Sequence, residues 1–292
     1  MAAEKELRIK INSISNTKKI TQAMEMISIS KINKIKSKIK LRTPYIESMR
    51  IVINRLLQRN LQYKHIYIDN DIDIKRIGII VVSTDKGLCG SLNINLFKKI
   101  LSKVKYFNNQ NIVCDFFIFG LKGFIFFDAM KYSIIHKVVN IGDKPSISKF
   151  SDSIELVLNL YKKNVFGKLF LASNQCNSSI LQTPKIIQLL PFKKIEKKKI
   201  ETNEMWNYLY EPDSKSLLNL IFNRYIESKI YQGVLENIAS EQTARMIAMK
   251  MATDNSNNMI KELRLIYNKT RQEAITNELI AIITGASAVS LN

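Results

Sequence analysis

Residues 31–56 read KINKIKSKIKLRTPYIESMRIVINRL, and the spacing of their aliphatic side chains decides the fold. Ile32, Ile35, Ile39, Arg42, Ile46, Met49, Ile53 and Leu56 alternate steps of three and four, with Arg42 the one polar member. This is the seam spacing of a left-handed coiled coil. Carried backwards, the same frame meets Ser28, Glu25, Thr21 and Lys18, while the apolar side chains stand at Ile27, Met24 and Ile20. The seam is therefore expected to slip here, as an inserted stutter makes it slip. Pro44 is expected to kink the helix or to mark its last strongly coiled part.

Outward from this stretch, both ends of the chain are poor in helix breakers. Pro44 is the only proline or glycine before Asp69, and beyond Pro212 only Gly233 and Gly285 occur. Most of the residues in these runs carry little helix penalty. A helix of ~50 residues at ~1.5 Å per residue reaches ~75 Å, too long to be buried in a small domain. A second three-four ladder runs through Tyr231, Leu235, Ile238, Gln242, Arg245, Met249, Ala252, Ser256, Met259, Leu263 and Ile266. The two terminal segments are expected to pair antiparallel and project as a shaft from a central body. The last stretch, AIITGASAVSLN (281–292), is apolar or small on nearly every side. Such a helix is normally enclosed by other protein.

Between Ile77 and about Lys199 the pattern changes. Short β-branched or aromatic runs (Arg76 to Thr84, Ile112 to Gly120, SIIHKVVNI, and Lys168 to Ser173) alternate with helical spacing in LNINLFKKILSKV, GFIFFDAMKY and Lys149 to Lys163. Strands alternating with helices imply a parallel, Rossmann-like sheet. The expected organisation is residues 1–70 as the N-terminal coiled-coil helix, 71–200 as the α/β domain and 201–292 as the C-terminal coiled-coil helix. The Lys-rich FKKIEKKKIE (192–201) reads as an exposed linker.

Composition narrows the function. At 292 residues, 46% hydrophobic and 24% charged, the chain is that of a folded protein. No apolar run approaches the ~20 residues of a membrane span. MAAEKELRIKI has no signal-peptide pattern, so the chain is expected to stay where it is made. Cys89, Cys114 and Cys176 are too few and scattered for a disulfide framework or zinc site, and His65 and His136 stand apart. No metal and no cofactor is expected. A net charge of +20 favours acidic partners, although an AT-rich coding bias toward Ile, Lys and Asn accounts for part of it. STDKGLCGSLN (83–93) follows a strand and precedes a helix, where phosphate-binding loops sit, but it lacks a dinucleotide or P-loop fingerprint. Gly87 and Gly90 also suit a tight turn. Asp85 and Lys86 are candidate catalytic groups with no nucleophile or second carboxylate visible beside them. The basic face of the first helix suits RNA, a solvated surface or an acidic protein partner close to Met24; it has few aromatics to stack on bases, which favours the partner over RNA.

Long stretches carry a family likeness. LRIKINSISNTKKITQAMEMISISKI (7–32), VVSTDKGLCGSLNINLFKK, YEPDSKSLLNLIFNRYIESKIYQGVLENIASEQTARMIAMKMATDN and IYNKTRQEAITNELIAIITGASAV (266–289) closely resemble the gamma subunit of bacterial F-type, proton-translocating ATP synthase. The likeness is co-linear over essentially the whole chain. It implies a non-catalytic central rotary shaft, coupling proton-driven rotation of the membrane ring to ATP synthesis at the beta subunits. The implied partners are the alpha and beta subunits of the catalytic hexamer, epsilon, delta in the same complex, and the membrane c-subunit ring; no nucleic acid and no small-molecule substrate is implied. By position, Met24, Arg245, Arg271, Gln272 and Thr276 are expected to contact beta. Tyr208 and Glu211 are expected at the membrane ring, and the loop around Cys89 on the epsilon-facing side. Ala281, Ser91 and Lys86 depart from the family's usual acid, glycine and arginine. The lack of a redox cysteine pair and of a transit peptide points to a bacterial protein, peripheral on the cytoplasmic face of the inner membrane.

Overall fold

The computed structural model describes residues 2–59, 66–68, 75–143, 145–176, 182–192 and 214–290. In chain order the elements are α1 (Ala2–Arg59), β1 (Arg76–Val82), α2 (Leu92–Asn108), β2 (Val113–Phe119), α3 (Leu121–Ala129), β3 (Ile134–Val138), α4 (Ser148–Lys162), β4 (Lys168–Cys176), β5 (Gln182–Leu190) and α5 (Ser214–Ser290). By contacts the chain forms two compact units, Met1–Ile29 with Arg245–Asn292, and Ser30–Ala244.

In the second unit the strands lie in the order β3-β2-β1-β4-β5. The first four are parallel, as their alternation with helices requires. β1 reads RIGIIVV because both of its faces are covered, and every residue after Arg76 is buried. One face packs Ile77, Ile79, Val81, Phe116 and Ile118 against Leu96, Ile100 and Phe127 of α2 and α3. The other packs Ile80, Val82, Phe117 and Phe119 against α4, α1 and α5. Against the expectation of a parallel sheet, β5 is antiparallel to β4 and closes one edge. QTPKIIQLL hides this strand from a sequence reading, since Pro184 and Lys185 argue against a central strand. An edge strand tolerates proline, whose missing N–H faces no partner.

The coiled-coil seam of this unit follows the sequence frame. Ile32, Ile35, Ile46, Ile53 and Leu56 are buried, with Ile39 and Met49 partly so. They meet Leu218, Phe222, Ile226, Ile230, Val234 and Leu235 of α5 in one core, each burial contributing roughly 1.5–3 kcal/mol. Arg42 belongs in the seam because its guanidinium stacks 4.3 Å from the centre of the Tyr231 ring. Pro44 neither ends the helix nor closes the seam, since α1 runs through it to Arg59 with Ile46, Ile53 and Leu56 buried beyond it.

Candidate functional site

In the first unit the two helices run antiparallel, with the Tyr267 hydroxyl donating to the Glu4 carboxylate at 3.1 Å and the Thr21 and Thr253 hydroxyls 2.8 Å apart. The expected slip of the seam does not occur. Thr21 and Ser28 are buried at 8% and 1% exposure, while Ile20 and Ile27 stand 60% and 53% exposed. Small hydroxyl side chains fit here because each finds an acceptor on its own helix: Thr21 on the Lys18 carbonyl, Ser28 on Met24, Thr253 on Met249 and Ser256 on Ala252. The second ladder also departs from expectation. After Met249 the inward positions step by four to Thr253, then to Ser256 and Ile260. The steps from Arg245 to Met249 and from Met249 to Thr253 are both of four, which shifts the frame, so Met259 and Ile266 point outward.

The seam of this part therefore carries hydroxyls beside Met249 and Ile260, and several aliphatic side chains stand outside it. Besides Ile20 and Ile27, the side chains of Ile9, Met26, Met251 and Leu265 are exposed. Towards the end of α5 so are Ile275, Leu279, Ile280, Ile282 and Ile283. Exposed apolar surface, where it is contiguous, marks a region covered by a partner.

The expected contact residues fall as follows. Met24 is half-buried and its carbonyl accepts the Ser28 hydroxyl; Arg245 is buried at 7% exposure. Arg271, Gln272 and Thr276 are exposed, and the Thr276 hydroxyl donates to the Gln272 carbonyl at 2.9 Å. Tyr208 and Glu211 lie outside the described residues. Cys89 is buried against Leu92 and Ala244, so the loop presents its neighbour Leu88, 63% exposed, instead of the thiol. A groove of about 560 Å³, lined by Glu4, Arg8, Ile11, Arg264, Tyr267, Asn268 and Arg271, was not foreseen. Its two walls come from opposite ends of the chain. The antiparallel pairing of α1 with α5 brings them together, with Glu4 and Tyr267 joined across the groove.

At the carboxyl edge of the sheet the candidate catalytic pair has a different role. The Asp85 carboxylate accepts three backbone amides, from Leu121 at 3.0 Å, Asn140 at 3.2 Å and Ile141 at 2.7 Å. It fastens the loops after β1 and β3 to the start of α3. Lys86 is exposed, and its carbonyl accepts the Thr84 hydroxyl. In doubly wound sheets a ligand sits beyond the strand ends where the order reverses, here between β1 and β4. That crevice is filled by the chain itself. The Asn237 side-chain oxygen of α5 accepts from the Asn174 side chain at 3.0 Å, and Ala244 packs on Cys89 and Leu92 of the β1 loop. Gly233 permits this approach, since a Cβ there would lie 2.8 Å from the Leu171 side chain.

Titratable groups elsewhere serve structure. Asp115 is fully buried on β2 and takes a two-pronged guanidinium from Arg76 (Nε 2.8 Å, Nη2 2.9 Å) and the Ser133 hydroxyl at 2.7 Å. Hydrogen bonding to this carboxylate holds the Arg76 pKa above its ordinary value. Burial, with Asp115 alongside, pushes the Cys114 thiol up to about 11. On α5, Lys229 donates to Gln232 and Gln232 to Glu236. Burial lowers the Lys229 pKa and raises that of Glu236. Among the described residues no group of three or more His, Cys, Asp or Glu is placed to hold a metal, and no helix is long and apolar enough to cross a membrane.

The profile of the ATP synthase family matches residues 3–289. The chain is 53% identical over 294 residues to the ATP synthase gamma chain of Buchnera aphidicola subsp. Schizaphis graminum, covering 100% of both chains. It is 50% identical to the ATP synthase gamma chain of Buchnera aphidicola subsp. Diuraphis noxia, covering 99% of each. Among solved structures it resembles a chain of the Euglena gracilis mitochondrial ATP synthase rotor in rotational state 1, with a TM-score of 0.65 at 18% identity over 94% of this chain and 99% of that one. A chain from the OSCP/F1/c-ring assembly of the same enzyme in rotational state 3 gives 0.67 at 19% identity, over 99% and 95%. At these identities the structural likeness speaks for the fold.

Proposed function

Because the chain belongs to the ATP synthase family, among its gamma chains, we propose that it works as the enzyme's central rotary shaft and carries out no bond chemistry itself. The observation that carries this reading is the inverted pairing of its terminal helices, with hydroxyls in the seam and aliphatic side chains outside. A shaft turning inside a sleeve of alpha and beta subunits has to present side chains that are buried by the sleeve yet make few directional bonds. Ile20, Ile27, Ile275, Leu279 and Ile282 meet both conditions.

On this reading Met24, Arg245, Arg271, Gln272 and Thr276 lie along the beta-facing length, the loop around Cys89 faces epsilon, and Tyr208 and Glu211 stand at the membrane c-subunit ring. Delta belongs to the same complex. The segments 1–70 and 201–292 make the shaft, and 71–200 forms the body beside it. The protein is peripheral, on the cytoplasmic face of the bacterial inner membrane. The work of the α/β body is mechanical, since α5 occupies the crevice a nucleotide would need.

Reconstitution tests this directly. Added to isolated alpha and beta subunits, the purified chain should form a stoichiometric complex and restore ATP hydrolysis. A chain that stays apart from the hexamer at micromolar concentration, or that copurifies with RNA instead, would overturn the proposal.

A further inference from the structure

We propose that the turn after β3 is a clamp that makes the α/β body turn with the helical pair, fixed to α1 through Lys31 and to α5 through Tyr231. This rests on the shaft reading above and names the positioning residues that carry the sideways load. Asn140 and Gly142 hold φ of +58° and +76°, and these two left-handed residues fold the chain back toward the helices. On the body side, the Asp85 carboxylate takes the amides of Asn140 and Ile141, and Lys149 Nζ donates to the carbonyls of the same two residues at 3.3 and 3.4 Å. Ile141 is buried in the core that holds Ile35 and Tyr231. On the helix side, Lys31 Nζ lies 2.8 Å from the Asp143 carboxylate. The buried Tyr231 hydroxyl donates to the Pro145 carbonyl at 2.8 Å, and the Arg42 guanidinium of α1 covers the ring of the same tyrosine. One turn thus meets the loop after β1, α1 and α5.

Torque on a rod pushes an attached body along the helix surface rather than away from it. Apolar contact opposes separation, but it has no preferred direction and lets surfaces slide. A hydrogen bond weakens steeply with angle and distance, so it opposes sliding. The two ties differ in kind. The Lys31–Asp143 pair is partly exposed, with side chains at 34% and 56%, so it adds little to stability and weakens with salt. The Tyr231 bond is buried, and removing the hydroxyl takes a donor from the buried Pro145 carbonyl. Asn237 already joins α5 to Asn174 of β4, and a single point of that kind acts as a pivot. Tyr231 lies six residues earlier on α5, ~9 Å away at ~1.5 Å per residue, and its partner lies at the opposite side of the sheet from β4. Two separated points resist rotation where one does not, and the hold on α1 adds a third.

The test uses the full chain assembled with a surface-fixed alpha–beta hexamer and supplied with ATP. A probe is placed on the body, at Tyr106→Cys of α2, or on the helix, at Lys36→Cys of α1, both in a Cys176→Ser background because Cys89 and Cys114 are buried. The readout is the angular spread of the probe during its pauses. Thermal variance rises as stiffness falls, so in Lys31→Gln/Tyr231→Phe the body probe should show at least about twofold greater variance. The helix probe should keep the wild-type spread. The wild-type body probe should also widen as salt rises. Lys31→Gln alone should lose that salt dependence, and the swapped pair Lys31→Asp/Asp143→Lys should recover it. These accessible side chains keep the proposal testable even if the double variant does not fold. If the body probe keeps its spread in the double variant, or in the wild type at raised salt, the clamp is refuted while the shaft reading stands. If both probes widen together, the substitutions have softened the rod itself, and the clamp is again refuted. If the wild-type probe never turns, the shaft reading fails and the clamp with it.

Discussion

Gly120 carries a φ of +107° because β2 must turn into α3 directly over the Ser83 carbonyl. A Cβ there would collide with that carbonyl oxygen, which is backbone and cannot swing away. Gly120→Ala should therefore cost at least about 2 kcal/mol in urea unfolding, the strain of a side chain held at positive φ added to the collision. An unchanged midpoint would show that the β2–α3 turn is built differently. Cys114 offers a check at the same scale. Its thiol is held near 11 in the fold against an ordinary 9.0, so folding keeps it neutral. A raised pKa contributes stability that is whole below pH 9 and lost as pH rises toward 11. Native Cys114 should resist alkylation at pH 8 until denaturant exposes it, whereas prompt labelling at Cys114 itself, located by peptide mapping, would contradict its burial. Residues of this kind were only half legible in the sequence. A glycine after a strand signals a turn, but nothing local to Asp85 tells that its carboxylate will be taken up by amides from two distant loops.

Among the elements, the helical pair has two chemically different seams. Aliphatic residues fill the stretch from Ile32 to Leu56, and hydroxyls fill the stretch around Thr21 and Ser28. Truncating Ile53, fully buried in the first, should cost about 2–5 kcal/mol of stability. The double change Thr21→Val/Thr253→Val should stay within about 1 kcal/mol, because removing both partners of a hydrogen bond leaves no orphaned polar group. Equal effects in chemical denaturation would mean the two seams are alike after all. The first seam was readable from spacing because isoleucine at every third or fourth position has one economical destination, the facing helix. The second was misread for the same reason. Ile20, Met24 and Ile27 were assigned to the seam on the rule that apolar side chains turn inward, a rule that holds only for surface the chain itself must cover. β5 escaped notice because Pro184 and Lys185 suit an edge strand but argue against a central one, and periodicity does not tell the two apart.

For the whole molecule, the exposed aliphatic side chains and the net charge of +20 describe a protein completed by others. Family membership was legible from long co-linear stretches at both ends of the chain, whereas the groove with its arginines was not, since Arg8 and Arg264 become neighbours only through the antiparallel pairing. On the shaft reading, Met24→Lys places a cation on the beta-facing side of α1 and should impair coupling more than assembly. In membrane vesicles this should lower proton pumping per ATP hydrolysed, and an unaltered ratio would remove Met24 from the contact.

Rotation itself is the most direct measure of the account. The exposed Tyr106, on α2, can be changed to cysteine and carry a bead or fluorophore while the alpha–beta hexamer is fixed to a surface. With ATP supplied, the probe should turn in one direction in repeated steps. A probe that stays fixed while ATP is hydrolysed at the full rate would contradict the account.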